Sequence, residues 1–291
     1  MPDSFSVTKA VIPAAGFGTR SLPWSKAVPK EMLPIVDVPA IQLVIEEAMA
    51  AGITEVVVVT GRGKGAMEDH FDRAPELEAA LAAKGKEEIL ERIVAPARDV
   101  SVVFVRQKEP LGLGHAVLAA RPAVGDAPFA VLLPDDLVDN DGESGIAQVA
   151  AAFRENGAGA VAIMEVPKGK EHLYGIVSGP LDGQGRIAID TMVEKPPAGT
   201  APSRNAIIGR YVLPAETFAI LERTPRGVGG EIQLTDALVE LASAAKLRGV
   251  VLEGVRHDIG NPLGFLEANL HYALKRDDLA ADLRAMLAEL S

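Results

Sequence analysis

Short β-branched runs alternate with helical patterns along the first half of this 291-residue chain. Glu55–Thr60 (EVVVVT) holds four consecutive valines, which is typical of a strand buried on both faces. The other predicted elements of this half are strands at Lys9–Ala14, Val100–Val105 and Phe129–Leu133 and helices at Pro39–Ala51 and Gly112–Ala120. The alternation predicts an α/β fold with a Rossmann-like, mixed but mostly parallel sheet flanked by helices.

The second half of the chain is richer in strands and turns. A hairpin is predicted from Gly175 to Val193, with its turn at Asp182–Gly185. The remaining predicted elements are strands at Ala160–Val166, Ala206–Leu213 and Val250–Glu253 and helices at Glu231–Ala245 and Asp277–Leu290. Because no linker rich in Pro, Gly or Ser interrupts the chain, a single domain over 1–291 is predicted.

Composition excludes several kinds of protein. The absence of cysteine rules out disulfides, zinc–thiolate sites and thiol nucleophiles. A net charge of −11 disfavours a nucleic-acid partner, although a local cluster of cations could still hold a small phosphorylated substrate. The N-terminal residues lack a secretory signal, and the apolar runs are too short to span a membrane. A soluble, cytoplasmic protein with no membrane partner is therefore expected.

A loop with two glycines follows the first predicted strand, and such glycines can turn backbone N–H groups toward a phosphate. Ser21 stands where a dinucleotide-binding GxGxxG motif has its third glycine, so the GxG alone fits a plain tight turn equally well. Arg20, Lys26 and Lys30 then place three cations in a short, proline-rich stretch of an acidic chain. The segment indicates either a stiff triphosphate-binding loop or a solvated basic loop.

The stretch GFGTRSLPWSKAVPKEMLP closely resembles the nucleotide-binding signature of the sugar-1-phosphate nucleotidylyltransferases, and its KEMLP ending resembles their uridylyltransferase branch. In that family the loop wraps the triphosphate, and Arg20 and Lys30 match catalytic positions that meet the reacting phosphates. The resemblance also implies nucleotide-binding roles for Ala14, Ala15, Gly16, Gly18 and Thr19. It divides the domain into a nucleotide-binding half (about 8–157), a sugar-binding half with the β-hairpin (about 158–270) and C-terminal helices (271–291).

Gln107 precedes a Pro-Leu-Gly-Leu-Gly segment that ends one strand and opens a helix. A side-chain amide both donates and accepts, which suits the N3–H and O4 edge of uracil or thymine. The residues alone fit an ordinary loop and helix start. The family resemblance implies that Gln107 and Gly112 bind the base. Uracil and thymine differ by one methyl group, which spacing cannot distinguish.

Two carboxylates, Asp135 and Asp136, follow the buried strand LLP, at the sheet edge where open α/β sheets bind ligands. They fit a capped turn or a Mg²⁺ site, because Mg²⁺ favours one or two carboxylates with phosphate oxygens and water. By resemblance Asp135, rather than Asp136, is the metal ligand. Asp258 in DIGNPLGFLEAN matches the second metal segment of the family and would complete the Mg²⁺ site.

The sugar-binding residues are implied by resemblance only. Glu194 matches the acceptor of the sugar hydroxyls, and Lys195 matches the catalytic lysine that holds the sugar phosphate. Tyr174–Val177 resembles the sugar-contact strand, with the backbone of Gly175 in reach of a hexose. Gly209, in GRY, and the segment EIQLTD add to the match with the uridylyltransferase branch.

Together these matches imply Mg²⁺-assisted transfer of UMP from UTP to glucose 1-phosphate, in a homodimer or homotetramer. The alternatives are the same fold acting on dTTP or on N-acetylglucosamine 1-phosphate, and a non-catalytic sugar-nucleotide-binding paralogue. A paralogue of that kind would tend to lose Lys30, Asp135, Lys195 or Asp258, and all four are present. An NAD-dependent dehydrogenase is disfavoured, since no acidic residue ends the second strand.

Overall fold

The computed structural model describes residues 6–290. The strands are β1 Lys9–Ala14, β2 Pro34–Ile35, β3 Val38–Pro39, β4 Glu55–Thr60, β5 Ser101–Arg106, β6 Phe129–Leu132, β7 Asp136–Asp139, β8 Gly159–Glu165, β9 Gly175–Ser178, β10 Arg186–Ala188, β11 Thr191–Glu194, β12 Asn205–Leu213, β13 Leu247–Val251 and β14 Val255–Asp258. The helices are α1 Ala40–Ala50, α2 Gly65–Phe71, α3 Pro75–Ala83, α4 Glu87–Asp99, α5 Leu113–Ala119, α6 Arg121–Val124, α7 Gly145–Asn156, α8 Glu216–Arg223, α9 Leu234–Ser243, α10 Pro262–Leu274 and α11 Ala280–Leu290. Within the described range, every helix is too short or too polar to cross a bilayer.

One large sheet organises the molecule. Its main path runs β10-β13-β8-β12-β6-β1-β4-β5, and β9 and β11 branch from β12. The strands β6, β1, β4 and β5 are parallel neighbours, as the alternating strand and helix patterns predict. By contrast, β12 runs antiparallel to both β6 and β8. The predicted fold class, a mixed and mostly parallel sheet flanked by helices, is confirmed.

Two apolar cores cover the two faces of this sheet. Residues of β1 alternate between them, because successive strand side chains point to opposite faces. Ile12 packs on one side with α1, α2 and α7, whereas Val11 packs on the other with α5, α8 and α9. Because both faces of the sheet are covered, its strands can present polar groups to a ligand only at their ends.

The predicted hairpin from Gly175 to Val193 is wrong as a single unit. β9 and β11 do pair in antiparallel fashion, with Gly175 opposite Glu194. The chain between them leaves the pair, however, and β10 instead joins the far edge of the sheet beside β13. The predicted turn is present before β10, where the Asp182 carboxylate accepts the N–H groups of Gln184 and Arg186, each at 2.8 Å.

The helix predicted at Glu231–Ala245 is shorter, and α9 begins only at Leu234. Residues 231–233 are extended instead, because their backbone is hydrogen-bonded to the loop before α5. The Ile232 N–H donates to the Leu111 carbonyl at 2.7 Å, and the Gly114 N–H donates to the Ile232 carbonyl at 2.9 Å. The two halves of the chain are joined at this point.

Candidate active site

The carboxyl ends of the central strands open onto a cavity of about 740 Å³. It extends from the loop after β1 to the β9–β11 pair and the start of α9. The predicted site residues that line it are Thr19, Arg20, Asp135, Gly175, Glu194, Lys195, Gly209 and Asp258. Ala14, Ala15, Gly16, Gly18, Lys30, Gln107 and Gly112 are not among its lining residues, although Lys30 reaches the Asp135 carboxylate.

The loop after β1 folds into three short 3₁₀ turns, Thr19–Ser21, Trp24–Lys26 and Lys30–Met32. Gly18 has φ 65°, a left-handed conformation that favours glycine, and the Ser25 hydroxyl donates to its carbonyl at 2.7 Å. Gly16 differs, because a Cβ built there meets no atom within 4 Å. Its missing side chain therefore leaves open space at the loop surface and fills no packing requirement.

A buried ion pair fixes the second part of the same loop. Glu31 is almost fully buried, and its carboxylate accepts a hydrogen bond of 2.6 Å from the Lys64 ammonium. Glu31 therefore points into the protein, while the ammonium group of its neighbour Lys30 contacts Asp135. This anchoring agrees with the stiff loop predicted from the prolines.

Lys30 and Arg20 converge on Asp135. The Lys30 ammonium lies 2.5 Å from Asp135 Oδ2, and the Arg20 guanidinium lies 3.5 Å from the same oxygen. Burial raises the pKa of Asp135, but the charge and hydrogen bond of Lys30, with Arg20, outweigh burial and hold this pKa below its ordinary value. Asp135 is therefore an ionised carboxylate at neutral pH, surrounded by the cations predicted for the triphosphate.

Asp136 faces a different environment from its neighbour. It is the first residue of β7, whereas Asp135 lies in the turn between β6 and β7. It accepts the Gly209 N–H at 2.9 Å and the Arg256 Nε at 2.8 Å. A Cβ on Gly209 would lie 2.6 Å from Leu133 Cβ and 2.8 Å from the Asp136 carboxylate, so glycine is required there by packing. Both acids line the cavity, but the Asp135 side chain is 19% exposed and that of Asp136 is 9% exposed.

Asp258 reaches the same region from the end of β14. β14 pairs with β7 so that Asp258 lies opposite Asp136, and the Ile259 N–H donates to the Asp135 carbonyl at 3.0 Å. A Cβ built on Gly260 would lie 3.0 Å from Asp258 Oδ1 and 3.3 Å from Asp135 Oδ2. The two carboxylates therefore meet at one point of the cavity wall.

Asp135 and Asp258 could supply two carboxylate ligands to a divalent metal ion. Among residues 6–290, no group of three or more acidic or histidine side chains is arranged to hold a metal ion. Two carboxylates leave the other coordination positions to phosphate oxygens and water, which is the usual arrangement for Mg²⁺ bound with a nucleotide.

The other end of the cavity carries Glu194 and Lys195. The Thr235 hydroxyl, in the first turn of α9, donates to Glu194 Oε2 at 2.7 Å and fixes the carboxylate above Gly175. Lys195 has φ 44°, which is strained for a residue other than glycine, and its N–H donates to the Tyr174 carbonyl at 3.0 Å. Lys195 lines the cavity, and its largely exposed ammonium group lies 3.5 Å from Oε1 of Glu194.

Gln107 lies beside the cavity, at the carboxyl end of β5. The Gln107 N–H donates to the Thr60 carbonyl at 2.9 Å, and Thr60 is the register partner of Ala14. The loops that follow β1, β4 and β5 are therefore neighbours at one sheet edge. The Gln107 amide nitrogen already donates to the Gly112 carbonyl at 3.2 Å and contacts His115 Nδ1 at 2.9 Å. In this arrangement the amide has only its oxygen left for a base, and not the donor that was also predicted.

Several side chains around the cavity were missed by the sequence analysis. Arg256 lies 3.9 Å from Asp258, donates to the Tyr174 hydroxyl at 3.1 Å and sits 5.2 Å above that ring. Thr235 and the buried Arg210 also support the site. The sequence signal for these two is a polar residue inside an otherwise apolar strand or helix start, where burial requires a partner. Arg256 lies in the mostly polar strand β14 and has no such signal.

Three kinds of similarity agree with this geometry. The family model described as nucleotidyl transferase matches residues 9–275. The chain is 48% identical to the UTP–glucose-1-phosphate uridylyltransferase of Bacillus subtilis strain 168 over 278 residues, covering 95% of this chain and 94% of that protein. It is 45% identical to the enzyme of the same name from Staphylococcus epidermidis RP62A over 98% of both chains.

Solved structures show the same relationship. A UTP-bound UGPase from Acinetobacter baumannii has a TM-score of 0.91 at 42% identity, covering 98% of this chain and 100% of that one. A UDP-glucose pyrophosphorylase complexed with UDP-glucose has a TM-score of 0.84 at 41% identity, covering 93% of this chain and 100% of that one. The chain belongs to the nucleotidyl transferase family, as its glycine loop and paired carboxylates indicate.

Proposed function

We propose that this chain transfers UMP from UTP to α-D-glucose 1-phosphate and releases pyrophosphate and UDP-glucose. The observation that carries the proposal is the charge arrangement of one cavity. Arg20, Lys30 and the carboxylates of Asp135 and Asp258 meet at one end, and Lys195 projects into the other. This is also the activity that its relatives in Bacillus and Staphylococcus carry in their names.

The main obstacle to this reaction is the electrostatic repulsion between UTP and glucose 1-phosphate. The cationic side chains of the cavity reduce this repulsion. The attacking oxygen of the sugar phosphate is already anionic at pH 7, so no general base is required. Arg20 and Lys30 act as the catalytic cations on the triphosphate, and Ala14, Ala15, Gly16, Gly18 and Thr19 supply the surrounding loop. The Lys30 ammonium lies 2.5 Å from Asp135, which places it within reach of phosphates that a metal ion on that carboxylate would hold.

We assign Asp135 and Asp258 as the residues that hold the divalent metal ion, which we propose to be Mg²⁺. When bound, the ion neutralises charge on the triphosphate and helps to orient its phosphates. The anionic state of Asp135 supports this role, since a metal ligand must be deprotonated. Asp136 is committed to Gly209 and Arg256 and is left to support the loop.

On the sugar side, Lys195 holds the phosphate of glucose 1-phosphate in line with the α-phosphorus. The new bond joins a sugar-phosphate oxygen to that phosphorus, and the bond to the bridging oxygen of pyrophosphate breaks. Glu194, fixed by Thr235, accepts hydrogen bonds from sugar hydroxyls, and the backbone of Gly175 lies beside it. Gly209 contributes by allowing the acidic loop to pack closely beneath the sugar.

This assignment divides the single domain into two working halves. Residues of about 8–157 hold the nucleotide, with Gln107 and Gly112 at the base, and residues of about 158–270 select the sugar phosphate. The hydrogen bonds between the loop before α5 and residues 231–233 connect the two halves beside the cavity. The segment predicted as C-terminal helices, 271–291, is assigned to neither half, although α10 already begins at Pro262 in the sugar-binding half.

A substrate panel tests the proposal. Pyrophosphate release would be measured for UTP, dTTP, CTP and ATP, each with glucose 1-phosphate or N-acetylglucosamine 1-phosphate, with Mg²⁺ and with EDTA. We expect the highest kcat/KM for UTP with glucose 1-phosphate and no turnover in EDTA. Preference for dTTP would indicate a thymidylyltransferase, and UDP-glucose binding without any turnover would indicate a non-catalytic paralogue.

We also propose that the chain forms a homodimer or homotetramer, as the family resemblance implies. Three large apolar side chains along α10, those of Leu263, Leu266 and Leu270, are exposed in the single chain, which supports association. Light scattering coupled to size-exclusion chromatography would give the mass in solution. A mass of one chain, about 30.5 kDa, at all concentrations would contradict the proposal.

A further inference from the structure

The side-chain amide of Gln107 is held by two neighbours that both act as acceptors. Its Nε2 donates to the Gly112 carbonyl at 3.2 Å, and a carbonyl can only accept. The same Nε2 lies 2.9 Å from Nδ1 of His115, in the first turn of α5. Because both amide hydrogens are needed for these contacts, His115 Nδ1 is the unprotonated nitrogen of its ring.

The frame around this pair is rigid. Gly112 has φ 93°, and a Cβ built on it would lie 2.7 Å from Glu231 Cβ and 3.0 Å from the Ile232 carbonyl. The hydrogen bonds of Ile232 with Leu111 and Gly114, described above, hold the chain on both sides of Gly112. The carbonyl that accepts from Gln107 therefore cannot move away to permit a different amide orientation.

We infer that His115 is a positioning residue that fixes the Gln107 amide with its oxygen toward the base, so that the site selects pyrimidines with an N3–H group. The inference rests on the proposed function, because it concerns the base of the same nucleotide. None of the described residues donates to Gln107 Oε1. That oxygen is the amide's one remaining group for recognition, and it is an acceptor.

An acceptor at this position separates uracil and thymine from cytosine. Uracil and thymine carry a hydrogen on N3, which Oε1 can accept. Cytosine N3 carries a lone pair, so the same oxygen would leave two acceptors facing each other without a proton. If the amide rotated by half a turn, it would present Nε2 to cytosine, but Oε1 would then face the Gly112 carbonyl and His115 Nδ1. His115 and Gly112 together prevent that exchange.

Two substitutions at His115 separate its acceptor from its bulk. His115→Leu removes the acceptor and keeps a branched side chain of similar size. His115→Asn keeps an acceptor at the position of Nδ1. The matched control is His70→Leu, because His70 on α2 contacts the Gln42 amide at 2.8 Å in another part of the protein, outside the proposed active site. For each variant, kcat/KM would be measured with UTP and with CTP.

We expect His115→Leu to lower the UTP:CTP ratio of kcat/KM by about tenfold, the factor that one hydrogen bond supplies. His115→Asn and His70→Leu should keep a ratio near that of the unmodified enzyme. A general loss of stability would lower both rates together and leave the ratio unchanged. A folded His115→Leu enzyme with an unchanged ratio would therefore overturn the inference.

A measurement on the unmodified protein covers the case in which His115→Leu does not fold. Nitrogen-15 NMR of the His115 ring at pH 8 should show a protonated Nε2 and an unprotonated Nδ1, and the opposite tautomer would overturn the inference. The two proposals fail in different ways. If the unmodified enzyme turns over neither UTP nor dTTP, the proposed function is wrong, whereas UTP turnover with an unchanged ratio in His115→Leu removes only the role of His115.

Discussion

Arg210 on β12 and Glu47 on α1 form a buried, two-pronged ion pair beneath the acidic loop of the cavity. Arg210 Nε and Nη2 donate to the two oxygens of Glu47 at 2.9 and 2.6 Å, and the Arg210 side chain is 0% exposed. Its Nη1 and Nη2 also donate to backbone carbonyls around Asp135, those of Leu133, Gly209 and Asp136. The pair therefore holds the backbone on both sides of Asp135.

Breaking this pair should destabilise the protein strongly. Arg210→Met should lower the free energy of unfolding by about 3–5 kcal/mol, because it leaves the Glu47 charge buried without a partner. Adding Glu47→Leu should recover part of the loss, since no buried charge then remains. Arg223→Met removes the partner of Glu240 at the surface and should cost less than about 1 kcal/mol. Denaturant unfolding measures all of these, and equal losses for the two arginines would contradict the expectation.

Asp135→Asn should abolish Mg²⁺-dependent turnover, because the amide removes one of the two carboxylates proposed to hold the metal and leaves Lys30 without its counter-ion. The measurement is pyrophosphate release over a range of Mg²⁺ concentrations. Asp141→Asn is the control, since Asp141 is 91% exposed and pairs with Lys275 away from the cavity. Near-normal activity of Asp135→Asn would remove this residue from the metal site.

Lys195→Ala should raise the KM for glucose 1-phosphate more than the KM for UTP, with a loss of about 2.7–4 kcal/mol in transition-state stabilisation. Lys195→Gly separates charge from backbone strain, because glycine adopts the observed φ of 44° freely. Both variants lose the ammonium group and should show similar kinetic losses. An unchanged KM for the sugar phosphate in either variant would rule out the assignment.

The two glycines of the nucleotide loop should respond differently to substitution by alanine. Gly18→Ala should destabilise the protein by about 1–2 kcal/mol, because alanine in the left-handed region is strained. Its Cβ would also lie 3.2 Å from Ser25 Cβ. Gly16→Ala meets no atom within 4 Å, so its thermal stability should stay near that of the unmodified protein while the KM for UTP rises. If Gly16→Ala leaves the KM for UTP unchanged, the loop does not approach the phosphates at that residue.

Stability should fall on mild acidification because of His70. Burial lowers the pKa of His70 below its ordinary value of 6.5, so the unfolded chain binds a proton more readily than the folded one. The stabilisation is complete above pH 6.5 and is lost as the pH falls through the lower folded-state pKa. Urea unfolding at several pH values between 5 and 8 should therefore show a smaller pH dependence for His70→Asn. An identical pH dependence would show that His70 does not contribute.

Much of the fold could be predicted from local sequence, because strand and helix periods are local properties. β1 and β4 have the predicted bounds, and both are short apolar runs, as expected of strands buried on both faces of a parallel sheet. The family was also readable from the glycine loop, and the matching family model confirms it. The preference for Asp135 over Asp136 as the metal ligand came from resemblance and stays a prediction, since both acids line the cavity.

Other features depended on partners far away in the chain. The β7–β14 ladder places Asp258 opposite Asp136, and the intervening sequence contains no local signal for that pairing. The departure of β10 toward β13 likewise follows from a free sheet edge that only the assembled sheet provides. Residues 231–233 were predicted as helix but are extended, because the loop before α5 provides hydrogen-bond partners for their backbone.

The sequence by itself determined the alternation of strands and helices in the first half, the glycine loop with its basic flank and the types of residue available for catalysis. Only the tertiary structure decided which polar atom of each side chain remains available to bind a ligand. Every glutamine side chain carries a donor and an acceptor. In this structure the donor of Gln107, Nε2, is hydrogen-bonded to Gly112 and His115, and only the acceptor, Oε1, is free within the part of the chain that the structure describes. The physical reason is that a buried hydrogen bond is satisfied by whichever group folding brings near, and that choice is non-local.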